Sequence, residues 1–325
     1  MVNRRTAIGA AAGLAAGLPM FSVAQPGGLR RIGFLGNGSA ATGSAQIESF
    51  RSSLRELGWI EGKNLAIEYR WAEGDLRRLP ALASELVHAK VEILFVSGPV
   101  AMSAAQKATR TLPIVFVVLV DPVALGFAQS LAHPGGNLTG LASQFEELVT
   151  KQLQLLKESV PGLSRITLLR HAEASPAILG AAEKAAAQLD LASTTLAVSR
   201  AGEFEGAFRQ AQAWRAGAVH VLPSPSLGAQ RRQLIDLAAR FRLPAFYELR
   251  LYVEDGGLMS YGPSIDDLYG RSATYVDRIL KGARPGDLAI ERPARFEFVV
   301  NRRTAEALGA ALAPGLLLRA DEVIG

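Results

Sequence analysis

From residue 29 onward, short apolar runs alternate with longer amphipathic stretches. "LRRIGFLGNGSA", "NLAIEYRWAEGD", "VEILFVSGP" and "IVFVVLV" carry runs of Ile, Val, Leu and Phe that give way to Gly, Ala, Ser or Asp-Pro punctuation. That pattern predicts strands buried within a sheet. Stretches such as "AQKATRTLP" and "SIDDLYGRSATYVDRILKG" lie between or after them and carry helical spacing. Regular alternation of the two predicts an α/β protein with a parallel sheet and crossover helices.

The pattern occurs twice. "LRRIGFLGNGSA" at Leu29 returns as "LSRITLLRHAEA" at Leu163, 134 positions later. "NLAIEYRWAEGD" is followed in the same order by its counterpart "STTLAVSRAGEF", and "VEILFVSGP" by "GAVHVLPSP". "AQKATRTLPIVFVV" matches "IDLAARFRLPAFYE", and "HPGGNLTGL" matches "EDGGLMSYG". Apolar periodicity alone would be weak support for a repeat; the recurring strand-end Ser and Pro, Leu-Pro and Gly-Gly punctuation carries it. Two Rossmann-like βα lobes with parallel sheets are expected. Lobe one spans 29–141 and is completed by about 264–294, and lobe two spans 142–262 and is completed by about 295–325. The chain then crosses between lobes more than once, through a multi-crossover hinge.

Composition adds an address and removes several chemistries. "MVNRRTAIGAAAGLAAGLPMFSVAQ" has a basic start, an apolar stretch to Phe21 and small residues at Ser22–Ala24. Residues 1–24 therefore read as an export signal peptide of twin-arginine or Sec type, which places the mature chain in the periplasm. The chain has no cysteine. Disulfides, thiolate catalysis, Cys-ligated zinc and a lipid-modified anchor are excluded. His88, His133, His171 and His220 make no paired metal spacing, and no metal or cofactor is expected. The net charge of +5 falls to +3 without Arg4 and Arg5, and no basic run is interleaved with aromatics. Nucleic acid is not an expected partner.

Candidate chemistry lies at strand ends, because open parallel sheets bind ligands outside the carboxyl ends of their strands. In lobe one these are Asn37 and Ser39 after "RRIGFLG", then Ser97, Gly98 and Pro99, then Asp121 before Pro122. In lobe two they are Arg170 with His171, Ser224 and Ser226 on either side of Pro225, and Tyr247 with Glu248. Ser97 can cap the following helix, and Gly98 lets a ligand reach bare backbone, which suits a carboxylate. Pro122 has no amide hydrogen, so the Asp121 carboxylate is expected to stay available for a ligand ammonium. A micromolar ligand requires about 8 kcal/mol, more than two polar contacts supply, so aromatic walls are needed. Trp71, Phe145 and Tyr247 are the candidates.

Two catalytic readings compete. "GNGSAA" satisfies G-x-G-x-x-G/A and would suit an exported NAD(P)-dependent enzyme, but Glu68 stands three positions before the end of the second strand and "RHAEAS" lacks glycine. There is no G-x-S-x-G elbow for a hydrolase. Binding without chemistry is the better reading, and the chain is not expected to be an enzyme.

"SGPVAMSAAQKATRTLPIVFVVLVDPVALGFAQSLAHPGGNLTG" and "YVEDGGLMSYGPSIDDLYGRSATYVDRILKGARPGDLAIERPARFEFVVN" resemble the ABC-transporter substrate-binding family that includes tryptophan/tyrosine-binding proteins. The similarity covers nearly all of residues 29–325. It implies a type I periplasmic-binding-protein fold and capture of a small polar solute, such as an amino acid or related carboxylate. It also implies delivery to a membrane permease, by a protein acting as a monomer. Ser97, Gly98 and Asp121 fall on the family's ligand-facing strand ends. Val100 stands where relatives carry a small polar residue or alanine. Arg170-His171 replaces a common Asn-Pro pair, and an arginine in the cleft favours a ligand with a second acidic group. A ligand-sensing module of the same fold is the alternative.

Overall fold

The computed structural model describes residues 28–41, 43–310 and 312–325; the export leader expected over 1–24 lies outside them. Lobe one begins with β1 (Arg30–Gly36), α1 (Ser44–Glu56), β2 (Leu65–Trp71), α2 (Leu79–His88) and β3 (Ile93–Ser97). It continues with α3 (Pro99–Ala108), β4 (Ile114–Val118) and β5 (Leu138–Ala142). Its sheet has the order β2-β1-β3-β4-β5, all parallel. The central strands are buried on both faces, as continuous apolar runs require.

Lobe two begins with α4 (Val149–Ser159), β6 (Arg165–His171), α5 (Pro176–Gln188), β7 (Ala192–Val198) and α6 (Phe204–Ala213). Then come β8 (Ala218–Val221), α7 (Pro225–Ala229), α8 (Arg231–Arg240), β9 (Ala245–Tyr247), α9 (Arg250–Glu254) and β10 (Met259–Pro263). The order β7-β6-β8-β9-β10 repeats that of lobe one strand for strand, so the sequence repeat is a repeat of topology.

The remaining chain serves both lobes. α10 (Ile265–Leu280) lies against α1, and its Leu268, Tyr269, Ala273 and Val276 share a core with Ile47, Phe50 and Leu54. Ser264 caps it by accepting from the Asp267 amide, and Asp266 and Asp267 complement the helix dipole in its first turn. The following segment runs along β5, where the Ala142 amide donates to the Glu291 carbonyl at 3.0 Å. The chain then returns to lobe two as β11 (Phe296–Asn301), α11 (Arg302–Leu308), α12 (Pro314–Leu317) and β12 (Glu322–Ile324). The expectation of wholly parallel sheets needs one correction here: β11 runs antiparallel to β10 because the returning chain enters at the opposite end of the sheet. Three crossovers therefore join the lobes, at 143–148, 263–265 and 292–295. Each lobe is a three-layer sandwich with one apolar core on either face of its sheet.

Candidate functional site

The strands of both sheets end toward the seam between the lobes. In lobe one, register places Gly36 beside Ser97, so Asn37 and Gly98 are neighbours beyond the ladder. Gly98 has φ +95°, and a Cβ there would collide with the Asn37 amide. Only glycine serves this position. Asn37 Oδ1 is buried and has no hydrogen-bond partner.

The role of Ser97 differs from the expected helix cap. Gly98 is the N-cap residue of α3, without a side-chain cap, and Pro99 opens the helix. The Ser97 hydroxyl instead bonds the buried phenol of Tyr269 on α10, whose pKa burial raises to about 12. The sequence offered no signal for this partner, which lies 172 positions away on an element that returns from lobe two. The Ser39 carbonyl accepts from the Gly43 amide at 3.0 Å and closes the turn into α1.

Asp121 needs two corrections. β4 ends at Val118, so Asp121 sits in the loop beyond it rather than closing the strand. Its carboxylate is also engaged locally: Oδ1 accepts from the amides of Val123 at 2.8 Å and Ala124 at 3.2 Å. Pro122 blocks capping of the next residue only, and the two amides after it take the oxygen.

In lobe two, Arg170 Nη1 donates to the carbonyls of His171 and Ala172 at 3.3 and 3.1 Å, while its Nε is buried without a partner. Ser224 caps α7, accepting from the Leu227 amide at 3.5 Å. Ser226 is half-buried, and its carbonyl accepts from Gln230. Two expected aromatic walls are core residues. Phe145, 4% exposed, packs with Val149, Leu153 and Ile178. Tyr247, 1% exposed, stacks on Tyr252 with ring centroids 4.6 Å apart. Both rings lie under the sheet edge because strand alternation turns Tyr247 toward α8 and the hinge turn packs Phe145 on α5.

Trp71 packs on Phe34 at 4.7 Å, and Cβ atoms at Gly36 or Gly43 would strike its ring. These glycines make room for an indole. The first glycine of "GNGSAA" is thus explained by ring packing.

Between the lobes lies a cavity of about 410 Å³. Gln46 of α1 and Asp266 of α10 form one wall, and Arg231 of α8 with Arg250 and Glu254 of α9 form the other. None of the strand-end residues named from the sequence lines it. Its arginines are paired with nearby carboxylates. Arg231 meets Asp255 at 2.7 Å, Arg250 meets Glu254 at 2.5 Å and Glu322 at 2.7 Å, and Gln46 bonds Asp266 at 3.3 Å.

Glu248, named with Tyr247 among the strand ends of lobe two, is the residue directly after β9. It is 4% exposed, and burial lifts its carboxyl from the usual 4.5 to about 7. The signal was present as a lone acid closing the apolar run "PAFYE".

A family model described as ABC transporter substrate binding protein matches residues 41–324. A tyrosine-binding protein of Clostridioides difficile is 24% identical over 266 residues, covering 80% of this chain and 75% of its own. Among solved structures, a conserved domain protein of Vibrio cholerae superposes with a TM-score of 0.82 at 24% identity, over 91% of this chain and 99% of that one. A Streptococcus pneumoniae ABC domain in complex with L-Trp gives 0.82 at 22% identity, with the same coverage of 91% and 99%.

Proposed function

We propose, for a chain that belongs to the family of ABC transporter substrate-binding proteins, that it is the extracytoplasmic receptor of an importer and captures a small amino-acid-like solute between its lobes. The observation that carries this reading is the interlobe cavity of about 410 Å³, bounded by α1 and α10 on one side and by α8 and α9 on the other. Its volume is within the range of small-molecule sites. The leader supports a periplasmic location, and the tyrosine-binding relative and the L-Trp complex support an amino acid as the class of solute.

Strand-end groups of both lobes bridge the solute, which therefore has greater affinity for the closed arrangement than for the open one. A membrane permease then recognises that closed shape. The three crossovers permit this motion, since the lobes share no strand ladder and the joining segments are short. Asn37, whose buried Oδ1 has no partner, and the open backbone at Gly98 are the lobe-one side of this clamp and Arg170 and Ser224 the lobe-two side, although none of them lines the cavity in this arrangement of the lobes. No step requires a covalent change in the solute.

The test is thermal denaturation of the mature protein against a library of amino acids, small carboxylates and nucleosides. A ligand that binds only the native state raises the midpoint, and several degrees from one amino acid would support the reading. No shift from the library together with a clear shift from NAD(P) or a flavin would replace it with an enzymatic one.

A further inference from the structure

The lobe-two sheet sets β6, β8 and β9 side by side, with Leu169 paired to Val221 and His220 paired to Phe246. One position beyond the first pair and two beyond the second, Arg170, Leu222 and Glu248 form a row across the three strand ends. Residues in one row of a parallel sheet share a face, and adjacent strands are about 4.8 Å apart. Arg170 and Glu248 thus originate about 10 Å apart at their backbones, one on either side of Leu222.

Both side chains are incompletely satisfied. The Tyr252 hydroxyl donates to Glu248 Oε1 at 3.4 Å, and the carboxylate also accepts from its own amide and from that of Ser224. Glu248 Oε2 is buried with no partner, and among the described residues no cation pairs with it. Arg231, whose charge reaches the neighbouring Tyr252, is held by Asp255 at 2.7 Å. Arg170 presents the complementary gap, a buried Nε with nothing to donate to. A buried polar atom left unpaired is costly, so such atoms at a ligand-binding edge imply a partner that arrives from outside.

The other charged groups are poorer anchors. Arg231 and Arg250 of the cavity wall are paired with Asp255 and Glu254, Asp121 Oδ1 is committed to two amides, and Ser97 is committed to Tyr269. We propose that Glu248 takes the cationic group of the solute and Arg170 its carboxylate, so that this row selects zwitterions over neutral or wholly anionic solutes. The inference rests on the solute-receptor reading and assigns its specificity to lobe two.

Calorimetric titration of the mature protein tests it. The common L-amino acids are screened, and the tightest is carried forward with its desamino acid and its decarboxylated amine. Glu248→Gln is expected to weaken the amino acid tenfold or more while leaving the desamino acid within about twofold, as loss of one charge-assisted contact predicts. Arg170→Gln is expected to give the mirror result, sparing the amine. Equal losses for all three compounds would make the row structural and overturn the assignment, as would unchanged affinity for the amino acid. Binding of a neutral or wholly anionic solute and of no amino acid would overturn the assignment and leave the receptor reading intact. A wild-type protein that binds no solute would remove both.

Discussion

Glu248 and His220 are both buried in lobe two and act on stability in opposite directions. The Glu248 carboxyl is lifted from 4.5 to about 7 by burial, so between those values the native chain holds a proton that the unfolded chain has released. Stability therefore falls as pH rises through that window. His220 is fully buried against Gln152, and desolvation lowers it from 6.5 to about 3. There the unfolded chain binds the extra proton, and stability rises with pH. The two slopes oppose each other between pH 4.5 and 6.5. Glu248→Gln removes one of them, and thermal unfolding of the ligand-free variant should then show a midpoint that climbs across this range where the wild type is nearly flat. The same variant should be more stable than wild type at pH 8, because it no longer buries an ionised carboxylate. Asp121 gives a second test. Asp121→Ala strips the partner from two amides and should cost about 1–2 kcal/mol in denaturant unfolding. Asp121→Asn keeps an acceptor oxygen and should cost less. A larger loss of solute affinity than of stability in the Asn variant would place the second carboxylate oxygen in the site.

At the scale of elements, strand identity and order were legible because apolar runs and turn residues are local signals, and the duplicated punctuation tied each strand to its twin. What the sequence could not show was which side chains these strand ends would consume. Ser97 is taken by Tyr269 of α10, an element that reaches lobe one only through a crossover. Asp121 is taken by a turn whose geometry depends on β4 stopping at Val118. Phe145 and Tyr247 stand near strand ends in the sequence yet face the helices, since a side chain one position from the edge still belongs to the core. The β9–β10 contact makes a further element-level prediction. Any Cβ at Gly262 would meet the Glu248 carbonyl, so Gly262→Ala must push the two strands apart. A loss of about 1–3 kcal/mol is expected by denaturant titration, with weakened solute binding because Glu248 moves with the strand.

At the scale of the whole molecule, one ion pair straps two of the crossovers that join the lobes. Arg292 Nη1 contacts both carboxylate oxygens of Glu147, at 2.8 and 2.9 Å, and its Nη2 donates to Gln144 at 3.1 Å. Arg271 of α10 holds the Arg292 carbonyl at 3.1 Å and so fixes the strap to lobe one. The side chains of Arg292 and Glu147 are 50% and 56% exposed, which limits the contribution of the pair to overall stability. Arg292→Ala should leave the melting midpoint nearly unchanged and shift the lobes toward the open arrangement. Small-angle scattering would register that as a larger radius of gyration in the absence of solute. The crossovers also set an order of assembly. α1 exposes Ile47, Phe50 and Leu54 until α10 covers them, and the β10 edge stays open until β11 pairs with it. A polypeptide emerging from its N terminus cannot finish either half until residues beyond Pro263 have been made. Any chain truncated after Pro263 carries two unsealed surfaces at once, and a cell can recognise and degrade it as incomplete.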